Sequence, residues 1–125
     1  MSKKISIREK RKRKNEIIFH NNVCGKWIRY VRLGFYDKNH PKISQDTLIA
    51  RLQTRGLSMR RSSLSRIETG RRVLSDIEVI YFAEALRVPV AFLYEGPTKK
   101  LPTVEELSSY VAECNEIDED TDSDD

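Results

Sequence analysis

Between residues 22 and 96, apolar residues recur at the three- and four-residue intervals of amphipathic helices, and no segment alternates as a half-buried strand would. The first such stripe consists of Val23, Trp27, Ile28 and Val31. Arg29 and Arg32 fall away from this stripe, and Trp27 is predicted to anchor the core. Residues 36–43 contain Asp, Asn and Pro and are predicted to form a loop after the first helix.

The second helix is marked by signals at both of its ends. Ser44 has the small hydroxyl side chain that favours an N-cap, and Gly56 is a natural stop. The apolar face between them consists of Leu48, Ile49 and Leu52. These residues predict a helix that packs one face against the core.

The third helix is predicted to begin between Ser58 and Arg61, with Ser58 available as its capping residue. Leu64 and Ile67 are three residues apart and share its buried face. Gly70 ends it as a left-handed residue. The remaining faces of this helix are basic and rich in hydroxyl groups.

Two further helices follow, which makes five in an all-α fold. Ser75 and Glu78 have the spacing of a capping box, and Leu74 with Val79 can form its hydrophobic staple. The residues predicted to face inward from the fourth helix are Ile77, Ile80, Ala83 and Leu86. Pro89 suits the first position of a short last helix. That helix closes the core with Phe92 and Leu93 before Gly96.

Charge divides the chain into a basic body and an acidic tail. The first 100 residues hold all 23 Lys and Arg but only nine of the 19 Asp and Glu, and residues 101–125 hold ten acidic residues and no base. We therefore expect a basic N-terminal arm over residues 1–21, a folded domain over 22–96 and an acidic tail over 97–125. A basic body predicts a polyanionic partner. The arm either contacts phosphates or only adds solubility.

The tail contains one more helix signal, predicted over residues 103–114. Thr103 and Glu106 have capping-box spacing. The apolar face that follows consists of Leu107, Tyr110, Val111 and Cys114. Beyond it the composition is that of a disordered acidic segment. The tail can pack in a dimer interface, compete with DNA for the basic surface, or bind a partner protein.

Composition argues against several other classes of protein. Cys24 and Cys114 are far apart, which predicts neither a disulfide framework nor a metal site. No apolar run approaches the roughly 20 residues that span a bilayer, so no membrane association and a cytoplasmic location are expected. The five glycines are scattered and the serines lack a nucleophile elbow. We expect no enzyme activity and no cofactor.

Three motifs together resemble the Xre/Cro-type, lambda-repressor-like helix-turn-helix family of transcriptional regulators. They are LIARL at 48–52, LSRIETGRR at 64–72 and EALRVP at 84–89, and Gly25 with Ile28 and Arg32 also resembles the family's first helix. The resemblance covers residues 22–96. The long connection over residues 53–60 resembles a subset of the family with an extended turn between the second and third helices, and Gly56-Leu57 fits that subset.

The resemblance implies that the third helix reads DNA bases. The base-reading positions correspond to Arg61, Ser62 and Arg66. An Arg side chain suits the O6 and N7 atoms of guanine, and a bidentate contact of this kind contributes about 1–3 kcal/mol of discrimination. The alternative for these side chains is a solvated helix face, with Glu68 pairing with Arg72 one turn later.

The resemblance also implies phosphate contacts at Gln45, in the first turn of the second helix, and at Arg71 in the loop after the third. Composition and proximity add Arg60, Ser63 and Arg72 as further phosphate contacts. Together these residues predict a double-stranded DNA-binding regulator that acts as a dimeric repressor on a pseudo-palindromic operator. The alternative is an interaction module or antitoxin, which captures a partner protein through residues 103–125 and regulates its own expression through the helix-turn-helix.

Overall fold

The computed structural model describes residues 21–107; residues 1–20 of the N-terminal arm and residues 108–125 lie outside the described part. The helices are α1 Gly25–Arg32, α2 Gln45–Thr54, α3 Arg61–Glu68, α4 Asp76–Leu86 and α5 Val90–Glu95. Residues 104–107 start a further helical turn, and no residue between 21 and 107 lies in a strand. The predicted all-α class is confirmed. None of these helices is long and apolar enough to cross a membrane.

All five helices contribute to one buried core. The predicted core residues Leu48, Leu52, Leu64, Ile67 and Leu93 are fully buried. Phe82 is the largest buried side chain, and α4 contacts α1, α2 and α5. Trp27 is only partly buried, and it packs against the core from the outer side of α1.

The inward face of α4 differs from the predicted one. Ile77 and Ile80 are 63% and 51% exposed, although Ala83 and Leu86 are buried as expected. The buried residues are Val79, Phe82, Ala83, Ala85 and Leu86. Because α4 is apolar on most of its sides, its periodicity did not select a face. Its position against the other helices did.

The local start and stop signals were mostly predicted correctly. Ser44 Oγ accepts a hydrogen bond from the Thr47 amide at 3.0 Å, and Ser75 and Glu78 form the reciprocal capping box. Gly56 and Gly70 have φ of 102° and 76° just after α2 and α3. One predicted position is off by one residue: Pro89 is the N-cap of α5 rather than its first helical residue.

The end of α1 is joined to α3 by a buried ion pair that the sequence pattern did not predict. Arg32 is only 8% exposed rather than turned away from the core. Its Nε and Nη2 donate to the Glu68 carboxylate at 2.6 and 3.0 Å, and its Nη1 donates to the Ile43 carbonyl at 3.1 Å. Two ends of helices and the loop before α2 therefore meet at one guanidinium.

Gly25 allows the other end of α1 to approach α3. A Cβ at this position would lie 1.8 Å from the Ile67 carbonyl oxygen. Asn22 completes the contact, because its Nδ2 donates to the Ile67 carbonyl and its Oδ1 accepts from the Gly25 amide at 2.6 Å. Contacts at both ends of α1 thus hold the C-terminal half of α3.

His40 connects the loop before α2 to the end of α4. Its Nδ1 lies 2.5 Å from Asp37 Oδ1, and its Nε2 lies 3.0 Å from the Arg87 carbonyl oxygen. Both contacts are hydrogen bonds at the same time only when both ring nitrogens carry protons. The bonds to Asp37 and Arg87 raise the pKa of His40 above 6.5, and the bond to His40 lowers the pKa of Asp37.

Replacing Glu68 with Ala should reduce the free energy of unfolding by about 3–5 kcal/mol, because the buried guanidinium of Arg32 loses its counter-charge. Glu84→Ala is the control, since the Glu84 side chain is 66% exposed and 3.9 Å from Arg55. It should cost less than about 1 kcal/mol. Urea denaturation measures both variants, and equal losses would contradict the role given to the buried pair.

The stabilising contact of His40 should depend on pH. Because folding raises its pKa, the contribution is complete below the unfolded pKa of 6.5 and is lost as pH rises through the folded pKa. His40→Gln removes this titration. Between about pH 5.5 and about pH 8.5, where Asp37 stays ionised, the wild type should lose more stability than the variant. A stability difference that is constant over this range, in urea denaturation, would refute the contact.

Candidate nucleic-acid interface

The N-terminus of α3 is not capped as the sequence suggested. α3 begins at Arg61, and its N-cap is Arg60, with an extended backbone and no side-chain capping hydrogen bond. Ser58 therefore lies outside the helix and does not cap it. The connection from α2 runs over residues 55–60, longer than a tight helix-turn-helix turn. Packing rather than a local cap determines where α3 begins.

One side of α3 remains on the surface. Arg60, Arg61, Ser62 and Ser65 are exposed and Arg66 is partly exposed. The Arg61 side chain is 69% exposed and lies 3.8 Å from Asp46 on α2, a weak surface contact. The structure thus brings all three predicted base-reading residues, Arg61, Ser62 and Arg66, onto the accessible side of one helix.

Ser63 is an exception among the predicted phosphate contacts. Its side chain is 0% exposed, whereas its neighbours Ser62 and Ser65 are on the surface. A buried hydroxyl cannot reach a phosphate from this position, so the predicted contact does not fit the structure. The i, i+4 relation to Arg61 would have selected Ser65 instead, and the sequence reasoning missed this residue.

Gln45 connects the start of α2 to this surface. Its Nε2 donates to Ser65 Oγ and to Glu68 Oε1, both at 3.2 Å. Glu68 is the carboxylate that holds Arg32, so Gln45 belongs to the same network. The predicted phosphate-contacting residue is therefore oriented by α3 and lies beside its exposed side.

The loop after α3 is held by two asparagines that the sequence reasoning did not single out. Asn21 Nδ2 donates to the Arg71 carbonyl at 2.6 Å, and Asn22 Nδ2 donates to the Arg72 carbonyl at 2.8 Å. The Asn21 amide also donates to the Gly70 carbonyl at 3.1 Å. No local signal could have revealed the two side-chain contacts, because each joins residues 50 positions apart in the sequence.

Arg71 and Arg72 have different environments in this loop. Arg71 is partly buried, burial lowers the pKa of its guanidinium, and its Nη2 makes no hydrogen bond within the described residues. The guanidinium of Arg72 is bonded to both Glu78 carboxylate oxygens at 3.3 and 3.2 Å and is 12% exposed. Arg72 therefore supports the loop through Glu78, and its predicted phosphate contact stays a prediction.

The contact with Arg72 keeps Glu78 ionised. Although burial opposes ionisation, hydrogen bonds from Arg72 and Ser75 hold the pKa of Glu78 below its ordinary value. The same carboxylate accepts from the Ser75 amide in the capping box. One acidic residue thus joins the loop after α3 to the start of α4.

Other reactive groups do not converge on this surface. Burial, opposed by a hydrogen bond with Tyr94, raises the pKa of the Cys24 thiol to about 12, so this cysteine is an inert core residue. Among residues 21–107, no group of three or more His, Cys, Asp or Glu could hold a metal ion. Cys114 lies outside the described residues.

Comparisons with protein-family models, curated proteins and solved structures find no match to this chain. They neither support nor exclude the resemblance described from the motifs. The functional interpretation therefore depends on the residues themselves and on how the structure arranges them.

The structural role of Arg72 can be measured with a double-mutant cycle on Arg72→Ala and Glu78→Gln. Gln at position 78 keeps an acceptor for the capping box, so the cycle isolates the ion pair. The two substitutions should be coupled by about 1 kcal/mol in urea denaturation, because each removes the same contact. Additive losses would show that Arg72 does not stabilise the loop through Glu78.

Proposed function

We propose that this protein binds double-stranded DNA sequence-specifically and regulates transcription, acting as a dimeric repressor. The observation that carries the proposal is the division of α3 into two sides. Leu64, Ile67 and Glu68 tie one side into the core, while Arg61 and Ser62 lie exposed on the other. The proposal assigns no catalytic step to the protein.

The chemistry of the exposed side suits the DNA major groove. The groove is about 12 Å wide, enough for one α-helix, and guanine presents two acceptors there to an arginine fork. Arg61 and Arg66 supply guanidinium groups, and Ser62 and Ser65 supply hydroxyls that donate or accept. Four such side chains on one rigid helix can read a short half-site.

The flanks of α3 suit the phosphate backbone. Gln45 is the first residue of α2, where the helix N-terminus favours an anion. Arg71 is a partly exposed cation in the loop after α3, and a guanidinium is a strong donor to phosphate oxygens. Arg60 is an exposed cation at the start of α3. These three residues flank the base-reading side.

The dimer and the pseudo-palindromic operator are proposed because one helix reads only a short stretch of DNA. A single α3 specifies few base pairs, so two copies on a pseudo-palindrome with half-sites about 34 Å apart raise both affinity and specificity. Binding over a promoter then blocks transcription. The proposal places this regulator in the cytoplasm.

The test starts by selecting bound sequences from random double-stranded DNA at a stated salt concentration. On the selected site, Arg61→Ala and Arg66→Ala should each weaken binding by about 1–3 kcal/mol and leave nonspecific binding nearly unchanged. Lys38→Ala is the matched control, since Lys38 is an exposed cation in the loop before α2. Lys38→Ala should change neither the specific nor the nonspecific affinity.

Arg60→Ala separates phosphate contacts from base contacts. It should weaken specific and nonspecific binding alike and reduce the slope of log affinity against log salt by about one. If no sequence is enriched, or if affinity does not change with salt, the proposal is wrong. If Arg61 and Arg66 behave like Arg60, the base-reading assignment alone is wrong.

A further inference from the structure

The outer side of α1 carries an apolar groove that no part of residues 21–107 fills. Its volume is about 230 Å³, and it is lined by Lys26, Trp27, Arg29, Tyr30, Leu33 and Phe35. Phe35 is 63% exposed. The floor is rigid, because Tyr30 packs against Trp27 and Phe35 with ring centroids 5.6 and 5.7 Å apart.

The rim of the groove is basic. Arg29 is exposed, and Lys26 Nζ lies 4.4 Å from the centroid of the Trp27 ring. No acidic residue lines this groove. A matching surface would therefore be an apolar stripe with acidic neighbours.

The C-terminal segment begins beside this groove and presents such a stripe. Pro102 and Glu106 line an adjoining cavity together with Lys26 and Trp27. Thr103 Oγ1 accepts from the Glu106 amide at 3.2 Å, so the helix predicted from residue 103 begins as expected. Glu105 and Glu106 provide acidic neighbours in its first turn.

The apolar face of this helix is turned away from its own α1. Val104 and Leu107 are 79% and 40% exposed, while Glu106 lies on the side of Lys26. By sequence spacing the same face continues through Tyr110, Val111 and Cys114, which lie outside the described residues. The chain thus has an open groove and an apolar helix face that do not meet within one copy.

We propose that the helix beginning at Val104 packs into the α1 groove of a second copy of this chain, and that the two copies exchange these helices reciprocally. The inference deepens the proposed function, since it rests on the dimer named there and assigns its interface. Such an interface is isologous, because the same groove and the same helix are used on both copies.

Length and charge both support this occupant. A helix from Val104 to Cys114 would span about 15 Å at 1.5 Å per residue, and α1, with 8 residues, is about 12 Å long before the groove extends to Phe35. The rim of the groove carries Lys26 and Arg29, and the first turn of the helix carries Glu105 and Glu106, so the two surfaces have opposite charge. These opposite charges favour this alignment of the helix in the groove over alignments that keep the charges apart.

The second exposed apolar surface, on α4, is a poorer choice for self-association. Ile77 and Ile80 are exposed there, but Asp76 and Glu84 are exposed beside them. Arg55 lies 3.9 Å from Glu84 and exposed Arg87 follows α4, so this surface carries both signs of charge and does not select one partner by charge as the basic rim of the α1 groove does. Ile80 therefore serves as a matched control residue.

The experiment measures the mass of the full chain by sedimentation equilibrium without DNA. The wild type should be a dimer, and Leu107→Ser and Phe35→Ser should each raise its dissociation constant at least about tenfold, since each removes an apolar contact twice per dimer. Ile80→Ser should leave it unchanged. All three residues are exposed, and thermal melting checks that each variant folds.

Mixing the two weakened variants tests the exchange itself. A heterodimer of Phe35→Ser and Leu107→Ser has one intact groove filled by one intact helix, and both substitutions fall in its other contact. Because either substitution alone already removes the proposed contact between these two side chains, their effects there are not additive, and the heterodimer should form more tightly than either variant alone. A wild-type monomer, a dimer weakened by Ile80→Ser alone, or a mixture no tighter than its components would each overturn the proposal.

Half-site DNA binding separates this inference from the proposed function. Phe35→Ser and Leu107→Ser should keep wild-type affinity for one isolated half-site and lose affinity for the paired site. If the wild type is the exchanged dimer but enriches no DNA sequence, the proposed function fails and the interface stands. If the wild type is a monomer that binds a selected DNA sequence, the exchanged interface fails and the DNA-binding function stands.

Discussion

The fold depends above all on the buried ion pair between Arg32 and Glu68. α3 has only 8 residues and no side-chain cap, so its own hydrogen bonds do not stabilise it in isolation. The Glu68 carboxylate accepts from Arg32 on α1 and from Gln45 on α2. A short helix with a polar outer side is thereby fixed between two others, at the cost of desolvating one pair of charges.

This constraint divides the arginines of the domain into two groups. Arg32 and Arg72 are enclosed by carboxylates and hold elements together, whereas Arg60 and Arg61 remain on the surface around α3. A count of basic residues cannot distinguish the groups, because both raise the net charge equally. The exposed arginines are the ones available to a polyanion; Arg60 and Arg61 lie at the start of α3, whereas Arg29 and Arg87 lie on other surfaces.

The helix α1 connects the two surfaces to which we assign functions. Its inner side holds α3 through Gly25 and Arg32, and its outer side forms the groove around Trp27. Since the same short helix contacts both, a partner bound in the groove would stand in a fixed relation to α3. In a symmetric dimer, that relation would set the separation of the two copies of α3.

The sequence by itself determined the all-α class, the capping residues Ser44 and Ser75 and the glycine stops, because these depend on neighbours a few residues away. It also identified the buried Leu and Ile residues of α2 and α3, whose helices have one apolar side. Only the tertiary structure decided which side of α4 is buried, that Ser63 is enclosed, and which carboxylates Arg32 and Arg72 face. Those outcomes depend on which element lies opposite, and residue spacing along one helix carries no information about its neighbour.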